Sequence, residues 1–274
     1  MKMIDPHVHM TSRTTDDYAA MAAAGISALV EPAFWLGQPR TTAGSFVDYF
    51  NSLLGWERFR ASQFGIRHFC TIGLNPKEAN NPKLSGEVID LLPRYLAKDG
   101  VVAVGEIGFD DQTDEEAGWF GRQLELAREF NLPVLVHTPH RDKKQGTIRS
   151  LELIRSMKFP EEQVLIDHNN EETLPIVLNT GCWAGHSIYP NTKMDEHRMA
   201  ALVKKYGTGR MIVNSAADWG ISEEAIHQVV WENPVAFFSQ SGRFEVADLA
   251  EPPVIDRSLL YEANSVLRGE RRSL

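Results

Sequence analysis

The chain is poor in cysteine, short of basic charge and without any long apolar run. Two cysteines, Cys70 and Cys182, among 274 residues cannot build a disulfide framework or a four-thiolate zinc site. Each sits in an apolar stretch, as expected of a buried, reduced thiol. No run approaches the ~18 consecutive apolar residues of a membrane helix. The first residues, Met1-Lys2-Met3-Ile4-Asp5-Pro6-His7, carry charge and proline where a signal peptide needs apolar residues, which predicts a cytoplasmic protein. Lys and Arg number 28 against 37 Asp and Glu, a net charge of −9. That balance disfavours a general nucleic-acid binder, whose affinity rests on cations facing phosphates. No GxGxxG or GxxxxGK[ST] follows the first apolar run, so a nucleotide-binding open sheet loses its main support.

What the sequence does contain is alternation. With 43% hydrophobic residues a sizeable core is available. Strands are predicted at Lys2–Met10, Ile26–Pro32, Arg67–Leu74, Val101–Phe109, Pro133–His137, Gln163–His168, Cys182–Tyr189 and Arg210–Ser215. Runs such as Val101-Val102-Ala103-Val104 lack polar alternation, as parallel strands buried on both faces do. Amphipathic helical stretches lie between them. Thr14 or Thr15 can cap one that Gly25 stops, and helices are predicted to open near Ser85, Thr113 and Met194. Eight strands alternating with helices predict a (β/α)8 TIM barrel over residues 1–243, in the α/β class. Residues 244–274, with Pro252-Pro253 and the basic Arg268–Arg272 stretch, read as a C-terminal extension packed on it. The aromatic segment Ser45–Phe64 reads as a long helix on the barrel, or else a lid or dimer surface.

Polar residues interrupt the apolar runs at revealing places. Period-two alternation puts His7 and His9 on one face of the first strand. Val101–Gly105 ends in Glu106, Val134–Val136 in His137, and Val164–Asp167 in His168. The C-terminal strand ends of a barrel converge on one mouth, where active sites of this fold lie. Desolvating these imidazoles and carboxylates together is costly without a partner. One or two divalent cations remove that cost, with zinc first and manganese or magnesium as alternatives.

In this order the residues resemble the TatD-related metal-dependent hydrolases of the amidohydrolase superfamily. The matching motifs are His7-Val8-His9, Gly105-Glu106-Ile107-Gly108, Val136-His137-Thr138, Asp167-His168-Asn169 and Asp218, with a closing Asn233–Phe238 helix. The resemblance implies a binuclear centre. His7, His9 and Asp218 would hold one metal, His137 and His168 the other, and Glu106 would bridge them, with Asp218 also the general acid/base. Three departures stand out. Asn75-Pro76 replaces the His-Pro of nuclease-like members, and Pro139-His140 stands where they carry an arginine. Asp218 follows Ser215-Ala216-Ala217 rather than the strand directly.

Further candidates line the expected mouth. Glu31 could touch substrate or orient a ligand histidine, and Phe34 and Trp35 could form an apolar substrate wall or pack under Ser45–Phe64. His140 and His186 are further substrate-binding candidates, each with a structural alternative. His68 reads as structural, and Asp5 as a buried hydrogen-bonding group. The expected function is metal-dependent hydrolysis of an ester, amide or phosphoester bond in a small molecule. A metal-dependent DNase and a non-catalytic metal-binding scaffold are the alternatives.

Overall fold

The structure, a computed structural model, describes residues 1–189, 193–214, 222–247 and 249. Eight strands, β1 (Met3–Asp5), β2 (Ile26–Pro32), β3 (Arg67–Ile72), β4 (Val101–Gly108), β5 (Val134–His137), β6 (Val164–Ile166), β7 (Trp183–Ser187) and β8 (Met211–Asn214), pair in parallel in chain order. Helices alternate with them, so the fold is a (β/α)8 barrel. At the seam Asn214 Nδ2 on β8 donates to the His7 carbonyl just beyond β1, at 3.1 Å.

Alternation along the strands builds two apolar layers. Ala28, Val30, Val102, Leu135, Leu165 and Ile212 pack together with Ile4 and Phe69. Their neighbours Val101, Val134, Val136, Val164, Ile166, Met211 and Val213 pack among the helices instead. All eight residues of β4 are buried, which explains the unbroken apolar runs. Helix Asn233–Phe238 contributes Phe237 and Phe238, which join Phe244 in the first of these layers. Asn233 Nδ2 ties that helix to β8 by donating to the Met211 carbonyl at 2.6 Å.

Helix ends follow local chemistry with two shifts. Helix Thr15–Ala24 opens where the Thr14 N–H and hydroxyl donate to Asp17, at 2.7 and 3.0 Å, and ends at left-handed Gly25. The helix expected from Ser85 begins at Pro82, because Asn81 accepts from the Leu84 N–H and proline suits the first helical position. Asp195 likewise caps Glu196–Tyr206, which begins two residues beyond the expected start at Met194. The aromatic segment is helical almost throughout, as Ala43–Asn51, a π-helical stretch Ser52–Glu57, and Arg58–Ser62. Phe46, Tyr49, Phe50 and Phe64 are buried, while Trp56 and Phe59 stack on each other in the open. Of the predicted C-terminal extension, Phe244 and Val246 are buried, and residues 250–274 lie outside the described residues. No helix among the described residues is long and apolar enough to cross a membrane.

Candidate metal centre

The C-terminal strand ends surround a cavity of about 860 Å³. His7, His9, Glu106, His137 and His168 all reach its wall. His7 Nε2 stands 3.0 Å from Glu106 Oε1 and 3.2 Å from His9 Nε2. His168 Nε2 is 3.7 Å and His137 Nδ1 4.0 Å from the same Glu106 oxygen. Two ligands of one tetrahedral ion, each bonded at about 2.1 Å, stand about 3.4 Å apart. The spacings around Glu106 are of that size.

Glu106 reaches the cavity because β4 presses against β5. At Gly105 a Cβ would meet the Leu135 carbonyl oxygen at 2.8 Å, so no larger residue fits without movement. Asn75 Nδ2 donates to Glu106 Oε2 at 2.8 Å, which leaves Oε1 facing the imidazoles. The loop after β4 is fastened by Glu116, whose carboxylate accepts from the N–H groups of Asp110, Asp111 and Gln112.

Asp167, at the end of β6, carries two of these histidines. Its Oδ2 accepts a short hydrogen bond from His7 Nδ1, and its Oδ1 accepts the His168 N–H at 2.6 Å. The first contact keeps a hydrogen on His7 Nδ1, so the nitrogen turned to the cavity is Nε2, whose lone pair becomes available once its own proton leaves. The second steadies His168, whose φ of 60° lies in the left-handed region, a conformation costing a non-glycine residue about 1 kcal/mol or more. Ser187 Oγ, 2.7 Å from His168 Nδ1, orients that ring. Nothing local in the sequence singles out Asp167 or Ser187 for these tasks.

Electrostatics divide the imidazoles. Burial lowers His9 and His168 to about 4, and pushes His137 well below its usual range. All three are therefore neutral at pH 7 and offer lone pairs. For His7, burial acts downward, but the Asp167 and Glu106 carboxylates overcome it and raise the ring to about 9. Burial opposes the Glu106 charge too, yet His7 and His168 hold its carboxyl well below the usual range. Among the described residues, buried His9 Nδ1 and both His137 nitrogens have no hydrogen-bond partner. Orphaned imidazole nitrogens beside a buried carboxylate fit a divalent cation. His7, Glu106 and His168 offer one donor atom each within 4.8 Å of one another.

Of the other candidates, Trp35 and His140 line the cavity. Phe34 stacks on His9 at 4.1 Å, and its N–H donates to the Tyr49 hydroxyl at 3.1 Å. Arg40 backs this wall through a buried two-pronged pair with Glu78 and a bond to the Phe34 carbonyl. Glu31 and His186 do not reach the cavity wall. Glu31 is wholly buried, accepting from the Met10 and Thr11 N–H groups at 2.6 and 3.1 Å and pairing with His68 at 2.9 Å. It anchors the loop after β1 from below. His186 is 1% exposed, and β7 runs one residue further to present Ser187. Asp218 lies outside the described residues.

A parallel eight-stranded barrel with histidines and a glutamate at its strand ends is the architecture of a metal-dependent hydrolase. The sequence profile of the family described as TatD related DNase matches residues 4–217, and the chain belongs to that family. An uncharacterized metal-dependent hydrolase of Methanocaldococcus jannaschii is 27% identical over 257 residues, covering 86% of this chain and 99% of that protein. A putative deoxyribonuclease of Danio rerio is 38% identical over 84 residues, 26% of this chain and 32% of its own length. Among solved structures, a TatD-like protein of Archaeoglobus fulgidus superposes with a TM-score of 0.70 at 27% identity, covering 86% of this chain and 99% of its own. The protein is thus an enzyme, a metal-dependent hydrolase of the TatD family.

Proposed function

We propose that this hydrolase cleaves an ester, amide or phosphoester bond of a small molecule at a centre of one or two divalent ions, zinc first among them. The observation that carries the reading is the convergence of His7, His9, Glu106, His137 and His168 on one cavity wall, where His9 Nδ1 and both His137 nitrogens are buried without a partner among the described residues. Asp218 would complete the set: His7, His9 and Asp218 would hold one ion, His137 and His168 the other, and Glu106 would serve both. When bound, such ions supply Lewis acidity that polarises the scissile group and acidifies the attacking water.

The chain's own residues do the rest. Asp167 and Ser187 hold His7 and His168 in the tautomers that turn Nε2 inward. Asn75 aims Glu106. Phe34 and Trp35 give the substrate an apolar wall and exclude water. Asp218 takes the proton of the attacking water and returns it to the leaving group. A small substrate fits the acidic chain and the replacement of the nuclease-like histidine and arginine by Asn75 and Pro139. The buried, unpaired Cys70 and Cys182 support the cytoplasm as the compartment.

The family's description and the Danio rerio relative favour DNA as a second reading. One panel separates the two. Protein loaded with zinc, manganese or magnesium is assayed on 4-nitrophenyl esters, lactones, phosphoesters and single-stranded DNA, with metal content by elemental analysis. Turnover of a small substrate, abolished in His7→Ala, is the expected result. Cleavage of DNA alone would replace the reading, and a protein that retains no metal after reconstitution would sink it.

A further inference from the structure

Behind the candidate metal centre the cavity continues into a recess of about 160 Å³. His140, His168, Ser187 and Lys193 line both spaces, while Lys143 faces the recess alone. Its titratable lining residues are His140, Lys143, His168, Lys193 and Arg198, without a carboxylate among the described residues. The Arg198 guanidinium is already engaged, making two bonds of 2.7 Å to Glu171.

The two lysines stand apart from their neighbours. Lys77 pairs with Asp110 at 2.8 Å and Lys144 with Glu172 at 3.7 Å. For Lys143, only the Thr138 hydroxyl and carbonyl accept among the described residues, at 2.9 and 3.4 Å. Lys193 Nζ meets His168 Nδ1 at 3.0 Å, a nitrogen that also faces Ser187. An imidazole ligating through Nε2 carries its hydrogen on Nδ1, and an ammonium has no lone pair to receive it. With His168 acting as a ligand, Lys193 is left without an acceptor there. The two ammoniums also repel each other. Burial, followed by the Lys193 charge, lowers Lys143 to about 8 against the pull of Asp167. Asp167 attracts both from a distance, yet no carboxylate among the described residues lines the recess with these two half-buried cations, a cost that a bound anion reduces.

We propose that this recess is a substrate subsite for an oxyanion, a phosphate or carboxylate group remote from the scissile bond, held by Lys143 and Lys193 with His140 at its rim. The subsite deepens the small-molecule reading, on which it rests, by assigning the substrate a negative charge beside the hydrolysed bond. Lys143 and Lys193 each donate to the anion, and the apolar wall across the cavity receives the other end.

Calorimetric titration of zinc-loaded protein with inorganic phosphate, and separately with acetate, tests this apart from turnover. Both arms are repeated on Lys143→Met, Lys143→Arg, Lys193→Met and His7→Ala. Each lysine-to-methionine change is expected to weaken the better-bound anion about tenfold, the loss of one charge-assisted hydrogen bond. Lys143→Arg keeps the charge and retains binding, and so does His7→Ala, whose metal site is damaged. A stronger phosphate arm assigns a phosphorylated substrate, and a stronger acetate arm a carboxylate. Binding lost in His7→Ala but intact in both methionine variants would place the anion on the metal and overturn the subsite. Absence of binding of either anion to wild type at millimolar concentration would do the same. Should circular dichroism show one methionine variant unfolded, the other carries the comparison. Failure of the hydrolase reading appears separately, as absence of turnover on every substrate.

Discussion

Replacing Asp167 by asparagine is a sharp probe of the centre, because it removes charge at almost no change in shape. Both oxygens of this buried carboxylate act as acceptors, one from His7 Nδ1 and one from the His168 N–H. Asparagine offers a single acceptor oxygen and an NH2 group that only donates. If its oxygen stays with the His168 N–H, the NH2 faces His7 Nδ1 and pushes the ring hydrogen onto Nε2, the atom facing Glu106. If the side chain flips, two N–H groups collide at His168. Either way one bond to a charged acceptor is lost, about 1.5–3 kcal/mol, or a roughly 10- to 150-fold loss in affinity for the metal. That range agrees with the 10- to 100-fold typical of groups that orient metal-bound histidines. The assay is zinc competition against a chromogenic chelator, with circular dichroism to confirm folding. Wild-type zinc affinity in a folded Asp167→Asn protein would refute the assignment of Asp167 as the group that positions His7 and His168.

Two further predictions rest on buried groups outside the proposed ligand set. Burial lowers His186 to about 4, below its ordinary 6.5, so its contribution to stability is complete above pH 6.5 and lost as pH falls toward 4. That difference amounts to about 3 kcal/mol. His186→Leu should therefore lose less stability between pH 7 and 4.5 than wild type does, measured by urea unfolding of the metal-free proteins, and parallel losses would refute it. Glu31→Ala should cost about 2–6 kcal/mol, roughly 1–3 kcal/mol for each of the two buried groups it strands, His68 and the Met10 N–H, and a fall in stability below about 1 kcal/mol would show that the loop after β1 is held elsewhere.

Strand order and barrel class were legible because local pattern carries them. Unbroken apolar runs such as β4 require burial on both faces, and helical stretches between them force a parallel connection. The same logic pointed to His7, His9, Glu106, His137 and His168, since a titratable residue ending a buried run has one mouth to reach. Element boundaries were less legible where a cap competed with composition. Asn81-Pro82 starts a helix three residues before the Ser85-Gly86-Glu87 signal.

Contacts between residues far apart in the chain belong to another order of information. The chain alone determines that Asp167 ends a strand beside His168, but only folding brings it against His7, 160 residues away. Glu31 and His186 end or interrupt apolar runs much as the cavity residues do. Glu31 turns inward because the Met10 and Thr11 N–H groups and His68 are there to satisfy it, and His186 is passed over because β7 continues to Ser187. Lys143 and Lys193 lie 50 residues apart in the chain, and only the barrel sets them around one recess. Periodicity is a property of neighbours, so it survives in one dimension. Whether a charge finds its counter-charge depends on distances that exist only after the chain has closed.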